Sequence, residues 1–139
     1  MQVRKNYHDE LEALINDLVT MARMVRVACA DATVALVEAN LEIAEKVISE
    51  DVQIDEMGDD LEYRAFTMLA RQSPVAGELR TVVAALRMTI ELGRMGDLSA
   101  HVAKIARMRY PEKAVPSGLE GNFARMAEVA DHMIEVAAK

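Results

Sequence analysis

The stretch Leu86-Arg-Met-Thr-Ile-Glu-Leu-Gly-Arg-Met-Gly-Asp-Leu-Ser-Ala-His-Val-Ala-Lys-Ile105 decides how this chain is read. At about 100° per residue, Leu86, Ile90, Gly93, Asp97 and Lys104 fall on one line of a helix, with Ala100 and His101 to either side. Leu86 and Ile90 mark the line as facing the core, and Asp97 sits at its centre. An isolated ionised carboxylate in an apolar seam costs several kcal/mol, on the order of the effective penalty for a buried ion. Asp97 is therefore expected to be paired, protonated, hydrated or bound to a cation.

Working outward, the apolar spacing predicts four helices. The first covers about Tyr7 to Ala39, with Leu11, Ile15, Leu18, Ala22, Val25, Cys29, Ala32 and Leu36 at 4-3 spacing and Leu14, Met21, Ala28 and Ala35 flanking. Asn40 is the expected N-cap of the second, about Leu41 to Arg71. Ser73-Pro74 breaks the pattern and starts a third helix near Pro74, which Tyr110-Pro111 stops. Ser117-Gly-Leu-Glu120 has capping-box spacing, serine followed three residues later by glutamate, and opens a fourth helix. That helix has Leu119, Phe123, Met126, Ala130, Met133 and Ala137 on its apolar side. Three long helices with short connections imply an all-α, antiparallel up-down three-helix bundle over 1–116. The fourth helix loosely echoes the first and is expected to begin a second bundle at 117–139.

Composition narrows the class. The net charge of −7 argues against sequence-independent nucleic-acid binding, which needs a basic footprint. Cys29 is the only cysteine, so neither an intrachain disulfide nor a Cys-rich zinc site can form within the chain. No apolar run reaches about 18 residues, and Met1-Gln-Val-Arg-Lys-Asn6 runs straight into an amphipathic pattern. A cytoplasmic setting without membrane insertion is expected. No nucleotide loop or nucleophile–base pair points to catalysis.

Helix two adds two more candidate acids. Asp51 and Asp55 share a side, and like charges at that spacing cost a few tenths of a kcal/mol on an exposed helix. A hairpin turning at Gln72–Pro74 places Asp51 level with about residue 95 and Asp55 with about residue 91, near the height of Asp97. Three converging carboxylates have the ligand chemistry for iron, manganese or magnesium, with His101 one turn beyond as a fourth candidate. Arg80, Arg87 and Arg94 recur every seven residues and are the rival partners, Arg94 for Asp51 and Asp55, Arg87 for Asp59 and Glu62. Arg80, Arg87 and Arg94 are equally candidates for contact with another protein. A carboxylate-bridged metalloenzyme of ferritin-like type would need Glu-x-x-His pairs, and none occurs. A purely structural oligomerisation bundle is the other alternative.

Tyr7-His-Asp-Glu-Leu11, Val47-Ile-Ser-Glu-Asp-Val-Gln-Ile-Asp55, Pro74-Val-Ala-Gly-Glu-Leu-Arg80 and Arg94-Met-Gly-Asp97 resemble, in order and spacing, the PhoU family. His101-Val-Ala-Lys-Ile-Ala106 is similar to its actinobacterial branch. The resemblance implies two tandem three-helix bundles and a regulator rather than an enzyme. Its implied partners are the phosphate ABC transporter ATPase and a sensor histidine kinase, held so as to repress the phosphate-starvation response. A homodimer is left open. Some family members bind iron or other metal clusters through Glu/Asp-x-x-x-Asp pairs, which Asp51 and Asp55 match. The family's second motif, Asp-Leu-Glu-Arg-Ile-Gly-Asp, is Glu91-Leu-Gly-Arg-Met-Gly-Asp97 here. Gly93 stands where the glutamate is expected, which implies a weakened or absent cluster.

Overall fold

A computed structural model describes residues 2–71 and 76–138. Four helices follow one another: α1 (Gln2–Glu38), α2 (Leu41–Arg71), α3 (Ala76–Arg109) and α4 (Glu120–Ala137). The first three pack pairwise into a bundle, whereas the backbone of α4 approaches α1 alone. No described helix is long and apolar enough to cross a membrane.

The α1–α2 corner follows its sequence signal. Ala39 takes a left-handed φ of 53°, and the Asn40 amide donates back to the Ala35 carbonyl at 3.1 Å. Asn40 Oδ1 then accepts from the Ile43 amide at 3.0 Å, the capping bond its position predicts. Ion pairs along the α1–α2 hairpin hold its register. Arg71 meets Glu10, Arg64 reaches Asp17 at 2.7 Å, and Lys46 reaches Asp31 at 3.2 Å. The break at Ser73-Pro74 and the start of the third helix at Pro74 lie outside the described residues.

Two joined cores run along the bundle. One gathers Leu14, Leu18, Met21 and Val25 of α1 with Ile54, Leu61, Ala65 and Met68 of α2 and Val82, Ala85 and Leu92 of α3. The other, at the α1–α2 corner, is built from small side chains: Ala32, Ala35, Ala44, Ala103 and Ala106, with Leu36, Val47 and Val115. Leu14, Met21 and Ala35 of the expected flank are as deeply buried as Val25 and Ala32 of the expected seam, and Ile15 of that seam is exposed. The buried stripe of α1 is thus rotated toward its predicted flank, because α1 must face two neighbours at once.

The face of α3 also differs from the expectation. Leu86, Ile90, Gly93, Asp97 and Lys104 do not line the core: Ile90 is 44% exposed, Leu86 half-buried, and Asp97 and Lys104 exposed. The buried line is Val82, Ala85, Thr89, Leu92, Gly96, Ser99, Ala103 and Ala106. Its two hydroxyls are satisfied within the helix. Thr89 Oγ1 donates to the Ala85 carbonyl at 2.8 Å and Ser99 Oγ to that of Met95 at 2.9 Å. Polar residues that satisfy themselves and small residues that allow close approach disguise this stripe in the sequence.

The fourth helix starts later than Ser117 suggests. Ser117 caps nothing: Gly118 has a φ of 94°, the Leu119 amide donates to the Pro116 carbonyl at 3.1 Å, and Leu119 is the N-cap without a side-chain bond. A turn at Pro116–Leu119 intervenes, which removes the capping-box geometry. The face α4 turns to the bundle holds Phe123, Ala127, Asp131 and Ile134, and Met126 and Met133 of the expected apolar side are exposed. Arg26 ties α4 to α1 in this rotation. Its Nε and Nη2 donate to the two Asp131 carboxylate oxygens at 2.7 and 3.0 Å, and Glu135 lies 3.6 Å away.

Candidate functional site: three carboxylates between α2 and α3

Asp51 and Asp55 stand one turn apart on the flank of α2 that meets α3, and Asp97 faces them from α3. Each offers one oxygen, and the three oxygens lie within 4.8 Å of one another. The three acids come together at one height of the hairpin, and Asp51 lies beside Gly96, close to the level the sequence assigns it.

Gly96 makes the encounter close. A Cβ built there would come within 3.0 Å of Ile54 Cγ2 and 3.5 Å of Asp51 Oδ1. Gly93, one turn earlier on the cluster's side, would meet nothing within 4 Å. The two glycines therefore respond differently to alanine. Gly93→Ala is expected to stabilise by up to about 1 kcal/mol through helix propensity alone. In Gly96→Ala the same gain is opposed by an overpacking cost of roughly 1–3 kcal/mol. Thermal unfolding of the two variants should separate them, with Gly93→Ala higher.

The electrostatics are unfavourable to three charges. Asp51 Oδ1 is buried and finds no hydrogen-bond partner among the described residues. Burial first, and then the neighbouring Asp97, push the Asp51 carboxyl above its ordinary range, while Lys104 pulls it back. Asp55 is pushed up to about 6 by desolvation, then by Asp51, with Asp97 and Asp59 adding to it. Because its folded pKa lies above the unfolded one, the native state holds more protons between about pH 4 and 6. The ionised group therefore destabilises the fold above that window, and the penalty disappears as pH falls through it. Asp55 is largely solvent-exposed, so screening reduces the effect to about 1 kcal/mol. Measured as the stability difference between wild type and Asp55→Asn, it should grow from pH 4 to pH 7, with the variant more stable at the upper end.

The other expected residues are placed elsewhere. His101 is exposed and does not join the three oxygens within 4.8 Å of one another. Arg94 does not pair with Asp51 or Asp55; it turns to Glu91 of its own helix, at 3.3 Å. Among the described residues Arg87 forms no ion pair with Asp59 or Glu62, and Arg80 forms none at all. The arginines lie farther round α3 than the flank that meets α2, which removes the rival account of the acids. Cys29 is half-buried, and burial raises its thiol pKa. The signal that sequence reasoning missed is Gly96, legible only as a small residue in a small-residue stripe.

The cluster can do one thing chemically. Three hard oxygen donors, on a cluster where Asp51 also carries an orphaned buried oxygen, fit a divalent cation of the magnesium, manganese or ferrous class. Asp51, Asp55 and Asp97 would hold it, and open space at Gly93 leaves the coordination incomplete from the protein's side.

Residues 18–106 match the PhoU domain, and the chain belongs to that family. It is 44% identical over 128 residues to the phosphate-specific transport system accessory protein PhoU homolog 2 of Mycobacterium tuberculosis, covering 92% of this chain and 60% of that protein. Homolog 1 of Mycobacterium leprae is 41% identical over 128 residues, with 92% and 58% covered. The Aquifex aeolicus homolog is 34% identical over 125 residues, with 90% and 56% covered. The chain thus spans about 60% of the length of the mycobacterial relatives it matches. No solved structure matches it.

Proposed function

We propose that this chain is the regulatory bundle of a phosphate-transport accessory protein, acting by binding and not by catalysis. The observation that carries the reading is the match of the α1–α3 bundle to the PhoU domain, with relatives named as accessory proteins of phosphate-specific transport. In this reading the bundle docks on the transporter ATPase and on a sensor histidine kinase, and so represses uptake and starvation-response expression when phosphate is plentiful. Arg80 and Arg87, free of ion pairs among the described residues, are available for those contacts, as is the exposed Arg94. Residues 117–139 begin a second repeat. The support for this is that the backbone of α4, among the described residues, approaches only α1 and that Met126, Val129, Met133 and Val136 stay exposed.

Asp51, Asp55 and Asp97 serve as the cation-holding group of this bundle. A divalent cation there would supply charge neutralisation between three acids that otherwise repel. The three aspartates would then tie the middle of α2 to α3 instead of prising them apart. His101 stands one turn from Asp97, an outlying candidate ligand.

Co-purification of the chain with the phosphate-transporter ATPase and with the kinase of its own host tests the regulator reading. Retention of either partner is the expected result. Failure to retain both, with phosphate-responsive expression unchanged on gene deletion, would overturn it.

A further inference from the structure

The solvent face of α2 is the most unusual surface of the molecule. From Val47 to Tyr63 the helix carries seven carboxylates, Glu50, Asp51, Asp55, Glu56, Asp59, Asp60 and Glu62, and no lysine or arginine. Among the described residues only Asp60 has an ion-pair partner, Arg64 at 3.2 Å. Acids four apart, such as Asp55 and Asp59 or Glu56 and Asp60, repel by a few tenths of a kcal/mol each. Nothing within the bundle offsets this along the outer face.

Apolar side chains stand among those charges. Val52, Glu56, Asp59, Tyr63 and Phe66 follow one another at 4-3 spacing, which puts them on one line of the helix. Val52 is 57% exposed, Tyr63 71% and Phe66 54%. Single exposed apolar residues such as Val52 are ordinary, but Tyr63 and Phe66, adjacent on that line and bordered by Asp59, Asp60 and Glu62, form a patch with a defined chemistry. Aromatic rings are the common anchors of protein contacts, and their faces also attract guanidinium and ammonium groups. The acids repel anionic lipid and nucleic acid, leaving a cationic protein segment as the complementary partner.

We propose that the outer face of α2 is a docking surface for a basic segment of a partner protein that carries apolar side chains. Tyr63 and Phe66 are the anchors. Glu56, Asp59 and Glu62 meet the partner's lysines and arginines. The proposal rests on the reading of this chain as a protein that works by binding, and it names the face that does so. The three-aspartate cluster lies on the neighbouring flank and is not required for the contact.

Isothermal titration of the full chain tests it with two probes. One is the purified phosphate-transporter ATPase. The other is a synthetic 18-residue helical peptide with leucine on one face and lysine and arginine on the other, compared with its glutamate counterpart. Tyr63→Ser/Phe66→Ser and Glu56→Gln/Asp59→Asn are each expected to weaken binding of either basic probe by about tenfold or more. Arg125→Ala on α4 should leave it unchanged. The charge variant should also show a shallower loss of affinity between about 50 and 300 mM salt. All substituted side chains are exposed, and circular dichroism confirms that the variants fold. Wild-type affinity in both α2 variants overturns the proposal, as does equal binding of the glutamate peptide. If the basic peptide binds through α2 and the ATPase does not bind at all, the transporter reading fails and the docking surface stands. If neither probe binds the wild-type chain, both fail.

Discussion

Manganese is expected to raise the Tm of the wild-type chain, and Asp97→Ala is expected to erase that rise. A cation that binds the folded state alone stabilises it by about 2.7 kcal/mol at a hundredfold excess over Kd, which for a domain of this size is roughly 5–10 °C. The ligand oxygens of Asp51, Asp55 and Asp97 lie within 4.8 Å of one another, so the loss of any one leaves only two donors. Asp97→Ala removes the donor from α3, and with it the bridge between helices. In chelator-treated protein the same substitution should act in the opposite direction. It removes a negative charge that raises the pKa of both Asp51 and Asp55, so metal-free Asp97→Ala should melt slightly higher than metal-free wild type. Scanning fluorimetry of both proteins with and without manganese reads the crossing of signs. Equal shifts in the two would remove the cation-holding role. Gly93→Glu supplies the complementary test: it places a carboxylate one turn before Asp97, into space that holds no atom within 4 Å of a Cβ. It should enlarge the manganese-induced rise in Tm relative to wild type.

The second large effect concerns Ile54, which lies beneath the cluster. It is 2% exposed, sits in the larger core, and is the side chain nearest to a Cβ at Gly96. Ile54→Ala should cost about 2–5 kcal/mol by the transfer and cavity terms of a buried aliphatic truncation. The loss should fall substantially in the Gly96→Ala background, because the added methyl occupies part of the space that Ile54 vacates. Non-additivity of this pair, expected at about 0.5–3 kcal/mol, reports their contact through a double-mutant cycle in urea. Additive costs would mean that Gly96 and Ile54 do not set the α2–α3 spacing.

Much of this architecture is legible in the residues. Asn40 announces the α1–α2 corner, and Tyr110-Pro111 the end of α3, because capping and proline chemistry act over a few residues and need no tertiary context. The convergence of Asp51, Asp55 and Asp97 follows from hairpin geometry, since two straight helices joined by a short connection have nearly fixed relative heights. The expected core position of Asp97 is not what the fold adopts, since its side chain is exposed. Leu86 and Ile90 pull an apolar-pattern reading onto the wrong line of α3, while Thr89, Gly96 and Ser99 conceal the true one. The arginine row fails as a set of partners for the same reason: a rotation of the helix about its axis moves it away from α2. Ser117 misleads because capping-box spacing carries no information about a turn at Gly118.

The sequence by itself determined the four helices, the hairpin order, the excess of acid on α2 and the membership of the PhoU family. These depend on local propensity, spacing and identity, which are properties of the chain read in one dimension. Only the tertiary structure decided which face of α3 is buried, how close Gly96 brings it to Ile54, and that Asp51 carries a buried oxygen without a partner among the described residues. Helix rotation is set by the packing of three surfaces at once, and the smallest side chains, nearly silent in a hydrophobic pattern, set where backbones meet.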